Sequence, residues 1–146
     1  MAIFSSSIEI SAPPDRVWPV LVDVERWPEW TPTMTSVRRV DAGPLAVGSR
    51  ARIRQPKLPQ AEWQVTELVP GRSFTWISGG IGVRVVARHT VDASSTGGSL
   101  ATVSIQFTGP LGPLFARLTR ALNERYLALE AKGLKERAEK AEATRG

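Results

Sequence analysis

The chain has 146 residues and a mass of 15.9 kDa, enough for one hydrophobic core that buries roughly two-thirds of the unfolded surface. Apolar residues at 42% against 23% charged exclude a wholly disordered chain, and the absence of Cys excludes disulfides, thiolate nucleophiles and sulfur-ligated zinc. The net charge of +5 is matched by one segment, in which Arg38, Arg39, Arg50, Arg52, Arg54 and Lys57 stand against the single acid Asp41.

Phe4, Ser6, Ile8 and Ile10 alternate with polar neighbours and predict a first strand. Glu9 interrupts that stretch and no basic run precedes it, so Met1–Ser11 does not read as a signal peptide. No stretch approaches the roughly 18 apolar residues needed to span a bilayer, and a cytoplasmic location is the expectation. Pro13-Pro14-Asp15 then marks a helix start, with Val17, Leu21 and Val24 at helical spacing. Pro28 and Pro32 limit Glu25–Trp30 to a short second helical turn.

Strands are predicted near Thr35–Asp41, Ser49–Gln55, Ala61–Val69, Ser73–Ser78, Val83–Ala93 and Leu100–Thr108, separated by Gly- and Pro-rich breaks. Period-two alternation puts Ala51 and Ile53 on one face and Arg50, Arg52 and Arg54 on the other. By the same parity Val83, Val85, Ala87, His89 and Val91 share a face, as do Ala101, Val103, Ile105 and Phe107. A long helix is expected over Leu114–Glu142, with Leu114, Leu118, Leu122 and Leu129 as its buried stripe and a frayed tail from about residue 135. One apolar sheet face and one amphipathic helix bury each other. The expectation is therefore a single α+β domain over residues 1–146, a curved seven-stranded antiparallel sheet around the C-terminal helix, with two short helices between strands 1 and 2.

Several segments resemble a known family. Ile8-Glu-Ile-Ser-Ala-Pro-Pro-Asp-Arg-Val-Trp18 is similar to an opening strand and helix, and Asp23-Val-Glu-Arg-Trp27-Pro-Glu-Trp30 to an Asp-x-x-x-x-Pro-x-Trp segment. Val47-Gly48-Ser-Arg50 resembles a Val-Gly-Thr-Arg turn, and Trp63-Gln-Val-Thr-Glu67 with Pro70-Gly-Arg-Ser-Phe-Thr-Trp76 resembles the hairpin that follows. These are features of the helix-grip proteins of the START-like (SRPBCC) superfamily, in particular the polyketide cyclase/dehydrase and lipid-transport family. The resemblance covers about Ser7 to Ala138. Gly98-Ser-Leu100 departs from it, standing where members often read Gly-Thr-Arg. The resemblance implies a cavity between sheet and helix that binds an apolar molecule such as a lipid, polyketide, quinone or sterol, in a carrier or sensor role. A minority of such proteins are aromatase/cyclases, which keeps an enzyme as the alternative.

His89 is the only His and is expected to point inward, either orienting a ligand or satisfied within the core. The ligand-binding set expected under the resemblance is Trp63, Trp76, Val85, Ala87, His89, Val103, Phe107, Phe115, Leu118 and Leu122, with Trp18, Trp27 and Trp30 packing the short helices on the sheet. No catalytic arrangement is assignable. There is no Gly-x-Ser-x-Gly elbow, one His supports no Ser-His-Asp triad, and Gly79-Gly80-Ile-Gly82 joins strands without opening a helix. His89 and an inward Glu67 are the weak candidates for proton transfer. No metal, cofactor or nucleic-acid partner is expected. Arg50, Arg52 and Arg54 form a solvated face or make weak contact with an anionic surface.

Overall fold

The computed structural model describes residues 2–143. The elements run β1 (Ala2–Ile10), α1 (Pro14–Val22), a 3-10 helix (Val24–Glu29), β2 (Ser36–Arg39), β3 (Arg50–Arg54), β4 (Ala61–Val69), β5 (Ser73–Gly80), β6 (Val83–Ala93), β7 (Ser99–Thr108), α2 (Gly112–Leu118) and α3 (Arg120–Ala143). The strands form one antiparallel sheet in the order β1-β7-β6-β5-β4-β3-β2. From β2 to β7 each strand pairs with the next, as short connections allow. β1 closes along β7, from Ala2 opposite Phe107 to Ile10 opposite Ser99.

Alternation decides the faces as expected. In β3 Ala51 and Ile53 are buried while the three arginines between and beside them are exposed. Glu62 lies opposite Arg52 in the β3–β4 register, 3.7 Å from that guanidinium and 3.9 Å from Arg50, so an acid partly neutralises this basic row. The one break in parity is a bulge in β4. Val65 pairs with Trp76 and Glu67 with Thr75, leaving Thr66 as the extra residue. Leu68 returns to the inner row opposite Phe74, and Thr66 and Glu67 both face solvent.

Pro14 starts α1, where its missing N–H is no loss, and Asp15 sits in the positively polarised first turn. Val17 and Leu21, one turn apart, are buried against the sheet. The indole N–H of Trp27 donates to the Leu21 carbonyl at 2.9 Å, which fixes the 3-10 helix to the end of α1.

The C-terminal helix is not the single rod expected from sequence. It breaks at Thr119, whose backbone N–H and hydroxyl both donate to the Phe115 carbonyl, at 3.0 and 2.7 Å. A Thr that bonds back to the preceding turn competes with the regular ladder and bends a helix. The Asn123 amide donates to the same hydroxyl at 2.8 Å and holds the junction. The expected stripe fails with the break: Leu114 is 51% and Leu118 73% exposed, and Leu122 and Leu129 are only half-buried. The buried face of α3 is instead Leu127, Ala131, Leu134 and Ala138. The helix continues past residue 135, to Ala143. Ala138 is 0% exposed, and Glu139 accepts from the Ser11 backbone N–H at 2.8 Å while pairing with Lys135. Residues 144–146 of the expected tail lie outside the described residues.

Gly133 explains how α3 docks so closely. A Cβ at this position would collide with the carbonyl oxygen of Trp30, so only glycine lets the helix backbone lie against the segment after the 3-10 helix.

Candidate functional site

A cavity of about 250 Å³ lies between the sheet and α2–α3. It follows from the break at Thr119: with Leu114 and Leu118 turned to solvent, no large side chain of α2 except Phe115 reaches the space above β6 and β7. Trp63, Trp76, Val85 and Ala87 line it from β4, β5 and β6, as do His89, Val103 and Phe107 farther along the sheet, with Phe115 from α2. These are eight of the ten residues expected. Leu118 and Leu122 do not line it, because the bend at Thr119 rotates that stretch of helix away. Glu67 is also excluded, since the β4 bulge turns it to solvent.

His89 is 4% exposed, opposite Phe74 in β5 and Val103 in β7. Its ring stacks on Phe74 at 4.4 Å with 16° between the planes, and Trp27 lies 5.3 Å away. Burial pushes its pKa down to about 4, against a backbone hydrogen bond at Phe74 that favours the charged form, so the imidazole is neutral at pH 7. Nδ1 is buried and has no hydrogen-bond partner among the described residues; the same is true of the Trp63 indole N–H. The backbone hydrogen bond at Phe74 accords with a histidine satisfied within the core, and Nδ1 is the atom left without a partner.

Sequence reasoning missed Glu130. It projects from α3 into the cavity wall, is 9% exposed, and accepts a hydrogen bond from the Thr33 hydroxyl at 3.3 Å on Oε1. Thr33 is in turn held by Thr31, hydroxyl to hydroxyl at 2.9 Å. Burial raises the Glu130 carboxyl to about 7, and the Thr33 hydroxyl only partly offsets that. The signal was present: Glu130 stands three residues after Leu127 and four before Leu134, on the face that is in fact buried. Trp27, Met34, Leu58 and Tyr126 also line the cavity, and the Tyr126 hydroxyl donates to the Pro56 carbonyl, tying the β3–β4 loop to α3.

The β5–β6 turn and the start of α2 are joined to each other. The Leu111 N–H donates to the Gly82 carbonyl at 2.8 Å, so the β5–β6 turn and the start of α2 form one latch beside the cavity. A second, wider groove lined by Glu62, Ile77 and Arg84 is open to solvent and lacks His89 and Glu130. No three His, Cys, Asp or Glu among the described residues group as a metal site would require. No described helix is long and apolar enough to cross a membrane.

Solved structures share this architecture. The Zhui aromatase/cyclase from a Streptomyces species superposes with a TM-score of 0.77 at 17% identity, over 94% of this chain and 93% of that one. A norcoclaurine synthase point mutant from Thalictrum gives 0.73 at 14% identity, over 94% and 93%. A hypothetical protein from Helicobacter pylori gives 0.80 at 12%, over 94% and 88%. At these identities the likeness establishes the helix-grip fold. No curated protein sequence matches the chain. The sequence profile described as polyketide cyclase / dehydrase and lipid transport matches residues 1–139, nearly the whole chain, and the protein belongs to that family.

Proposed function

We propose that the protein binds a small apolar molecule in the cavity between the sheet and α2–α3, as a carrier or sensor. The observation that supports this is an apolar space of about 250 Å³ with unpartnered buried polar atoms on Trp63 and His89 in its wall. Buried polar groups are nearly always bonded in a finished core, and two of the four unpartnered ones among the described residues, on Trp63 and His89, belong to side chains of this wall, the others being on Trp30 and Arg39. Burying about 200 Å² of ligand apolar surface contributes about 5 kcal/mol at the usual coefficient. The volume lies below the roughly 300 Å³ at which drug-sized sites begin, which favours a compact polyketide- or quinone-sized molecule over a sterol.

Native against denaturing mass spectrometry of gently purified protein tests the reading. A small apolar molecule released on unfolding supports it. A ligand-free mass, together with Nile red fluorescence that Ala87→Phe leaves unchanged, removes it.

The enzyme reading uses the same cavity, as in an aromatase/cyclase. What favours it is that His89 and Glu130 both line the cavity, a neutral base and an acid near neutrality. Under that reading His89→Ala lowers turnover of a poly-β-ketone while its affinity stays nearly unchanged, and equal loss of both indicates binding alone.

A further inference from the structure

The charge inventory of the cavity wall is lopsided. Glu130 is its one carboxyl, and no Lys or Arg lines it. Among the described residues the carboxyl is engaged on Oε1, by the neutral Thr33 hydroxyl. Trp27, Trp63, Trp76 and Tyr126 line the same cavity. A buried carboxyl without a cation is costly to ionise, whereas a ligand that brings its own cation removes that cost. Aromatic rings add attraction for an ammonium and none for a carboxylate. A fatty acid or other anion entering this space meets no positive group and one carboxyl.

We infer that the ligand carries a protonated amine on an apolar body, with Glu130 as its counter-ion and the surrounding aromatic rings as its walls. This deepens the apolar-cavity reading and rests on it. The imidazole of His89, neutral at pH 7, leaves the ammonium unopposed. The other titratable groups on the wall are His89 and Tyr126. On the elements packed against α3, Glu9 of β1, Asp15 and Arg16 of α1, and Glu29 of the 3-10 helix beside Arg137 all lie outside the wall.

Three probes of matched size decide it: naphthylethylamine, naphthylethanol and naphthylacetic acid, titrated calorimetrically into the full chain and into Glu130→Gln. With Glu130 ionised, at about pH 8, the amine is expected to bind roughly tenfold to a hundredfold tighter than the alcohol, and the acid weakest, as for a charge-assisted hydrogen bond. An ammonium favours the ionised carboxylate, so binding below the free carboxyl's pKa of about 7 displaces a proton. Amine affinity should therefore fall as pH drops from about 7 to about 5, while alcohol affinity stays level. Glu130→Gln should abolish both the preference and the pH dependence and still bind the alcohol. An amine that binds no better than the alcohol, or a preference that survives Glu130→Gln, overturns the amine inference alone. Failure of all three probes to bind overturns it together with the apolar-cavity reading.

Discussion

His89 on β6 and Glu130 on α3 reach one cavity from opposite layers, and burial displaces their acidities in opposite senses, to about 4 and about 7. Neither has an ionic partner among the described residues, and desolvation of the charged form dominates both shifts. At neutral pH the cavity thus holds a neutral base and a carboxyl poised near half-ionisation.

The two shifts oppose each other in the pH dependence of stability. His89 titrates at about 4 when folded and 6.5 otherwise, so between those values the unfolded chain binds the extra proton and stability rises with pH. Glu130 titrates at about 7 when folded and 4.5 otherwise, so the folded chain holds the extra proton and stability falls as pH rises. Between pH 4.5 and 6.5 the contributions cancel in the native protein. Glu130→Gln is expected to unmask His89, adding a positive slope of up to about 1.4 kcal/mol per pH unit over that window relative to the parent. His89→Phe is expected to add a negative slope of similar size. Urea unfolding at a series of pH values checks this, and parallel curves for all three proteins contradict it.

Ala87 tests whether the space itself matters. It lies between Trp76 and Ile105 in register and lines the cavity. Ala87→Phe is expected to cost about 1–3 kcal/mol of stability by overpacking and to abolish uptake of apolar probes. Circular dichroism and Nile red fluorescence read the two effects separately. A folded variant that still takes up the dye places the binding elsewhere.

The strands were legible because alternation is local. Ala51 and Ile53 between arginines leave no ambiguity about which face of β3 is inside, and eight of the ten residues expected at the site lie on the cavity wall. What escaped was phase. The β4 bulge adds one residue and thereby turns Glu67 outward, and no composition cue at Thr66 announces it. In the C-terminal helix the leucines suggested one stripe, yet Ala131, Ala138 and Gly133 carry the close contact because small residues let the backbone approach. Small residues give a weak hydrophobic signal. A phase taken from the leucines does not point to Glu130, the carboxyl that lines the cavity.

Gly133 gives a direct measure of that close approach. In an exposed helix Gly→Ala stabilises by about 1 kcal/mol through propensity. Here the added methyl meets the Trp30 carbonyl, which is backbone and yields little. The overlap is expected to outweigh the propensity gain, for a net loss of about 1–3 kcal/mol in chemical denaturation. A more stable Gly133→Ala would mean that α3 can lift away from the 3-10 helix at little cost.

The latch between Gly82 and Leu111 concerns ligand exchange. Gly82 has φ of +81°, and a Cβ there would strike the Leu111 side chain whose own N–H is bonded to the Gly82 carbonyl. Gly82→Ala therefore strains the turn, because an alanine rarely adopts that φ, and displaces the Leu111 side chain, at a local cost of about 1–3 kcal/mol. The core elements β6, β7 and α3 do not depend on this contact, so global stability should change less than local opening. Amide hydrogen exchange at Leu111 is expected to quicken by about tenfold or more, and bound probe should dissociate faster by a similar factor. Faster exchange at Leu111 with unchanged dissociation would show that the ligand leaves by another route.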